Sequence, residues 1–417
     1  MLHKNRVAAN TLILTIVIAL ILAIISISVI TLGYYSRQHQ IAANIEQRLS
    51  RNLESAINLV LEDNTASSFP KSDSFDLFED NRDSVLITTA PWGVFEVACV
   101  TAFSNVFSKR QGLIFGSGLP AYMDGCLYVA DHRRPLSVNG NTILTGDVYL
   151  SKGGIKPIYI NQRGYDGSKL VEGTIKTSAE ALPELSTAIL DHLHRLSIDS
   201  AGLAPEWQAG DSLVHPFYND VYTVYSKEVN LSGLKLKGNI IIRADSLIEV
   251  DANNRLEDVI LSAPIIRFKQ GFKGAVQAIA TDSIIVESGS VFDYPSALIL
   301  LKDPDMKMQN LLRMETGCVF NGVIIAKCEK DDITRCRVEL TKNTQINGVV
   351  YVMGYCSLRG QVNGTVLTDY FIYQEQNMMY ENTLVDVAVN RRNLSPYFIG
   401  STIFQKPAAK QIIKWVK

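Results

Sequence analysis

No aspartate, glutamate, lysine or arginine falls between Val7 and Tyr35. The stretch is apolar apart from Asn10, a few serines and threonines, and Gly33, and it is preceded by His3, Lys4 and Arg6. A charge-free run of this length excludes an ordinary surface helix and is long enough to cross a bilayer once. It also exceeds the apolar core of about 7–15 residues of a signal peptide, and no clear Ala-x-Ala cleavage site follows it. The reading is a retained transmembrane anchor over 7–35, single-pass in the inner or plasma membrane. Basic residues near the ends set orientation. Lys4 and Arg6 lie before the run, whereas Arg37, Arg48 and Arg51 follow it mixed with Glu46 and Glu54. That bias puts residues 1–6 in the cytoplasm and the body outside it.

Other absences narrow the function. The net charge is −2 with no block of like charges, which argues against nucleic acid as a partner. The 17 tyrosines and 15 phenylalanines carry no basic–aromatic RNA-binding signature. No Gly-rich phosphate loop, Gly-x-Ser-x-Gly elbow or His-Glu-x-x-His motif occurs. No histidine follows His215, so the Gly-His-Gly of polygalacturonase-like hydrolases is missing, although Asp331-Asp332 is present. The acids Asp245, Glu249, Asp251, Asp258, Asp282, Glu287 and Asp293 show no repeated position. His192 and His194, two apart on a helix, point in different directions and read as a solvated face, not a metal pair. His132-Arg133-Arg134 reads as an anion site or, equally, as a polar corner before Pro135. No catalytic, cofactor-binding or metal-binding residue is assigned, and a non-enzyme is expected.

The six cysteines are Cys99, Cys126, Cys318, Cys328, Cys336 and Cys356, none in a close CxxC pair. An even number in an extracytoplasmic body permits disulfides. Cys328 and Cys336 flank the polar loop 329–335 and are one candidate pair; Cys99 with Cys126 is a second. Buried or free thiols are the alternative.

There is also no proline before Pro70, so nothing ends the helix at the membrane surface. Ile41, Ile45, Leu49, Leu53 and Ile57 recur every four residues, with Gln47, Arg48, Arg51, Asn52 and Glu54 filling the other face. This amphipathic stripe over 36–62 continues the anchor into one helix of roughly 80 Å at 1.5 Å per residue. The stripe is the candidate face for partner helices. A short basic start, an apolar helix and a directly continuing amphipathic half resemble the N-terminus of pilin-like and pseudopilin-like proteins, the minor-pilin accessory type in particular. The resemblance covers about the first 60 residues and implies partners in a surface appendage or secretion apparatus. The chain departs from the family where it reads Arg6-Val7-Ala8-Ala9-Asn10-Thr11. The family carries a Gly-aromatic cleavage site there and a glutamate a few residues into the helix, so leader removal and assembly through that glutamate are not implied.

The body is expected to be mainly β. Residues 63–82, with an acidic cluster from Asp73 to Asp83, read as a linker opening a β-rich subdomain over 63–180. Its short β runs include Val85–Thr89, Val94–Phe103, Gly112–Phe115, Cys126–Ala130 and Thr142–Leu150, separated by Gly and Pro. A helix with the stripe Leu185, Ile189, Leu193 and Leu196 is expected near 182–196, within a segment 181–200. A connecting segment, 201–230, follows. From 231 to 405 apolar runs recur about every 17–26 residues, the range of solenoid repeats. Asn-Gly precedes a strand at Asn321-Gly322, Asn347-Gly348 and Asn363-Gly364, each marking a tight corner. The pattern predicts a parallel β-helix (a solenoid), similar to the β-helical modules of surface proteins, with an irregular β-sandwich as its rival. Residues 406–417 form a basic amphipathic tail, read as an interfacial helix or as a cap on the solenoid end.

Three functions fit this layout. The first is a membrane-anchored structural or assembly protein. The second is a tethered adhesin that binds cell-wall glycan through an aromatic ladder of Tyr351, Tyr355, Tyr370, Phe371 and Tyr373. The third is a polysaccharide-active enzyme, which needs its acids clustered on one face.

Overall fold

The computed structural model describes residues 8–62, 71–78, 82–104, 107–198, 201–204, 207–302, 308–328, 335–405 and 409–416. Residues 1–7, Asp331-Asp332, Lys406 and Lys417 therefore lie outside the described residues. The fold is mainly β behind one long N-terminal helix. The chain divides into two compact units, one of Met1–Asn58, Asp73–Leu86 and Val100–Arg110, the other of Leu59–Ser72, Ile87–Cys99 and Gln111–Lys417.

The helix, α1, runs unbroken from Ala8 to Glu62, 55 residues. Its apolar part is exposed from Thr11 through Tyr35 and is long and apolar enough to cross a membrane. The hydroxyls inside that part bond back to the helix itself. Thr15 Oγ1 donates to Leu12 O at 2.9 Å, Ser28 Oγ to Ile24 O at 2.8 Å and Thr31 Oγ1 to Ile27 O at 2.7 Å. A polar side chain satisfied in this way costs little in hydrocarbon.

The second unit is built on a closed, mostly parallel sheet. Lys235–Val250 pairs with Arg255–Phe268, which pairs with Lys273–Val286; Val291–Leu301, Val319–Lys327, Gln345–Leu358 and Gln361–Glu375 follow in parallel register. Side chains alternate across this sheet. Ile240, Ile242, Val259, Leu261, Leu298, Ile324 and Val350 point into one buried core. Their neighbours Ile241, Ile260, Ile299, Ile325 and Tyr351 face the other way, into a second buried layer with Trp92, Phe95 and the second helix, α2 (Thr187–Ile198). Both faces are covered, which is why these strands read as continuous apolar runs. Within the first core Phe268, Phe272, Phe292 and Phe320 stack with successive ring centroids 4.9, 5.3 and 5.4 Å apart. The outer layer is pinned by buried Gln277, whose Oε1 accepts from Val94 N and whose Nε2 donates to Trp92 O, both at 2.8 Å.

Several expectations need correction. Lys71–Phe75, read as linker, is the first strand of a five-stranded sheet. The segment 201–230 is not a mere connection: Ser212–His215 and Tyr222–Leu231 both pair in parallel with Lys235–Val250. The tail is a strand, Lys410–Val416, pairing antiparallel with residues 112–117, because an open edge there supplies main-chain partners that an isolated helix lacks. Helix α2 starts at Thr187, and Pro183 lies ahead of it, its carbonyl accepting from Tyr351 Oη at 2.9 Å.

The Asn-Gly pairs, expected ahead of strands, lie inside Val319–Lys327, Gln345–Leu358 and Gln361–Glu375 and stack on one another. Gly322, Gly348 and Gly364 pair in register, all at φ near +150°. Asn347 Nδ2 donates to Asn321 Oδ1 at 2.7 Å and Asn363 Nδ2 to Asn347 Oδ1 at 2.8 Å. A Cβ on Gly348 would overlap the carbonyl oxygen of Gly322. Gly348→Ala is expected to lower stability by about 2–4 kcal/mol. Gly289→Ala, at φ +69° with open space around it, should cost about 1 kcal/mol. Urea unfolding of the two variants beside the parent checks the contrast.

Candidate functional site

The five residues of the α1 stripe do not share one environment. Leu49, Leu53 and Ile57 are 2%, 7% and 5% exposed, buried by the chain itself, whereas Ile41 is 44% exposed and Ile45 is half-buried. The lower stripe is therefore a docking face already in use, and the part left open to another molecule centres on Ile41. A polar clamp sits beside the buried residues, one helical turn apart as helical spacing requires. Arg48 Nε and Nη2 donate to the two carboxylate oxygens of Asp83 at 2.5 and 2.9 Å, and Asn52 Nδ2 donates to Asp83 Oδ2 at 3.1 Å. Lys109 Nζ adds a bond to Ser50 Oγ at 2.8 Å. The Asp83 side chain is almost wholly buried, and a fork–fork contact of this kind is among the stronger hydrogen-bonded pairs. The Arg48 guanidinium holds the Asp83 carboxyl below its ordinary range, against the opposing pull of burial.

A second candidate lies in the other unit. A cavity of about 570 Å³ is lined by Asp131, His132, Arg133, Arg134, Arg335 and Tyr370, among others. It gathers the polar corner and part of the aromatic ladder from distant stretches of chain. The His132 ring stacks on Tyr370 with centroids 4.1 Å apart and planes 9° apart, and the Arg335 guanidinium lies 4.9 Å over the same ring. Tyr355 packs at 5.7 Å. Arg134 pairs with Glu381, Arg133 lies 3.8 Å from Glu180 and Arg335 lies 3.7 Å from Asp369. Burial and the nearby Arg335 charge both lower the His132 pKa. Sequence reading missed Arg335, Glu180 and Glu381, which carry no local motif. The ladder itself splits. Tyr351 and Phe371 are buried core residues, whereas Tyr355, Tyr370 and Tyr373 are partly open. Arg335 and His132 already cover Tyr370, and Arg359 lies 4.9 Å over Tyr373, so little ring face is left for a sugar.

The remaining candidates separate. His192 is half-buried rather than solvated, and burial pushes it down to about 4. Glu249 accepts from Lys269 at 3.0 Å, Asp245 accepts the Tyr225 hydroxyl at 2.6 Å and Asp258 takes Lys414 at 2.8 Å, each acid in its own pairing. Among the described residues no three His, Cys, Asp or Glu side chains converge on a metal-sized site. Neither candidate cysteine pair is bonded. Cys328 Sγ donates to Met353 O and Cys336 Sγ to Lys327 O, at 3.0 and 3.5 Å. Cys99 packs with the outer layer and Cys126 sits in the inner core, on opposite sides of the sheet.

No protein-family model matches this chain, and no curated protein matches it in sequence. Among solved structures it is similar to the competence-associated pilin ComZ from Thermus thermophilus, at 8% identity and a TM-score of 0.23, over 84% of this chain and 87% of that one. A TM-score this low does not establish a shared fold.

Two outcomes are expected. Asp83→Asn should cost about 2 kcal/mol at neutral pH, a charge-assisted pair with one partly exposed partner. Because the folded pKa is depressed, that stability is present above the ordinary carboxyl pKa and is lost as pH falls through the folded value. Urea unfolding of the detergent-solubilised chain should therefore separate parent and variant at pH 7 and bring them together in strong acid. Burial also raises the thiols of Cys99, to about 11, and of Cys126 and Cys356, to about 12. Alkylation without reductant should be slow on the folded chain and reach all six cysteines after denaturation, read by mass; a disulfide would leave two unmodified.

Proposed function

We propose that the chain is a single-pass, membrane-anchored structural or assembly protein, not an enzyme, with its N-terminus cytoplasmic and its body, wound as a parallel β-helix, outside the cytoplasm. Its partners are other subunits of a pilin-like appendage or secretion apparatus. The observation that carries this reading is α1. One uninterrupted helix offers a wholly exposed apolar half and a second half held by Leu49, Leu53, Ile57 and the Arg48–Asp83 clamp. An apolar helix surface open on all sides suits lipid or neighbouring helices, and the clamp ties Asp83 to one rotational setting of that same helix.

Helix association in lipid relies on close packing and few polar contacts, so the boundary around Ile41 is where a partner helix leaves the bilayer beside this one. The absence of the family's glutamate makes this subunit an accessory to a filament rather than its repeating unit. The alternative, a tethered glycan-binding module using Tyr355, Tyr370 and Tyr373, is weaker because Arg335 and His132 lie on Tyr370 and Arg359 on Tyr373, which leaves Tyr355 as the ring without such a cover.

Photo-crosslinking in native membranes tests the reading, with probes at Ile41 and Ile45 and a buried control at Leu53. Adducts from Ile41 to small single-helix subunits, and none from Leu53, are expected. Adducts only to the chain itself would remove the assembly role. Reagents that label residues 1–6 from outside intact cells would reverse the orientation.

A further inference from the structure

Many other cations on the strand surfaces of the closed sheet stand beside a carboxylate. Lys269 and Arg267 share Glu249, Arg313 and Arg337 share Glu339, and Lys176 takes Asp147. Lys237 and Lys414 share Glu257, with Asp258 bonded to Lys414 as well. One column breaks this pattern. Lys235 pairs in register with Arg255, and Leu256 with Gly274, which sets Lys273 next to Arg255 on the third strand. All three side chains are exposed, and none has an ion-pair partner among the described residues.

Adjacent strands lie about 4.8 Å apart, and like charges directly opposite one another are destabilising. A column of three uncompensated cations is thus held at a stability cost that an anionic ligand would remove. Beside it opens a cavity of about 440 Å³ whose wall includes Lys235, Arg255, Lys273, Tyr294, Asp293 and Lys414. Ser212 continues the column at one end, in register with Lys235, and Val291 closes it at the other, in register with Lys273.

The charge is one residue wide. Two positions along the same strands stands the neutral network of Lys237, Glu257, Lys414 and Asp258. A broad phosphate surface would meet acids there. A single chain lying across the strands, with one negative group per repeat and a repeat near the strand spacing of about 5 Å, would meet only cations. The Ser212 hydroxyl beside the cations suits a hydroxylated chain. We propose that this column binds a linear acidic polysaccharide of the polyuronate class, each carboxylate facing one rung. The site is distinct from the α1 face and does not depend on the assembly role.

Alginate oligomers titrated into the detergent-solubilised full chain, read by calorimetry, provide the test, with dextran as neutral control. Alginate should bind, dextran should not, and affinity should fall as salt rises. Lys235→Ala, Arg255→Ala and Lys273→Ala combined should weaken binding at least about tenfold through loss of three charge-assisted contacts. The single Arg255→Gln variant should weaken it less, and Lys227→Ala, an exposed cation outside the column, not at all. The proposal is overturned if alginate does not bind, or if the triple variant, checked to melt like the parent, binds it as well as the parent does. Tighter binding of phosphatidylglycerol vesicles or oligothymidylate than of alginate, lost in the triple variant, would also overturn it and reassign the column to phosphate.

Discussion

Parallel pairing, kept in register within each strand half and reset by bulges between the halves, is the constraint on which the second unit depends. Each strand satisfies its main-chain groups with the strand before and the strand after, and a closed sheet built this way leaves few edges. In-register pairing brings equivalent positions together, so any side-chain property placed at one position is repeated in a column. Phe292 and Phe320 become an aromatic pair, the Asn-Gly pairs become a hydrogen-bonded ladder over glycines, and three cations become a line of charge. A slip by one residue would turn all of these columns over together, because inward and outward side chains alternate. The buried layers on both faces make that slip prohibitive.

The sequence pattern carried much of this. Runs such as Ile240–Ile242 and Ile324–Ile325 are legible as strands because apolar patterning is a local property, whereas the Asn-Gly pairs read as corners ahead of strands and lie inside them. What local patterns cannot carry is register. Lys235, Arg255 and Lys273 lie on three separate strands, and only the pairing shows that they are neighbours. His132 and Tyr370 meet for the same reason. The strand at Lys71–Phe75 is hidden by a polar composition ordinary for a loop, and the one at Lys410–Val416 by a mix of lysines with Ile412, Ile413, Trp415 and Val416 that suits an amphipathic helix equally. An available sheet edge overrides weak local preference. On α1 the four-residue period was legible, but periodicity does not say whether a face meets its own chain or another. Burial from Leu49 onward assigns most of it to the chain itself.

The helix joins two kinds of chemistry without a break in the backbone. In its apolar half, threonine and serine hydroxyls are returned to helix carbonyls, so the surface offered outward is hydrocarbon. In the other half, a buried carboxylate recruits two side chains one turn apart and fixes the rotation of the helix about its axis. Apolar burial alone tolerates some rotation, whereas a bidentate arginine contact does not.

The Asn ladder has a consequence for how such a chain can change length. Matching asparagines are 26 residues apart in one interval and 16 in the next, yet their side chains meet at nearly the same distance. Most of the surplus falls between Lys327 and Cys336, and the rest between Leu340 and Gln345. Insertions and deletions can accumulate there without disturbing the stack. A single residue added between Asn347 and Val352 would put that stretch out of register unless a bulge, like the one between Val352 and Tyr355, absorbed it. Lineages that diverge in length should therefore do so in excursions of this kind, with the Asn-Gly pairs constant in number and order.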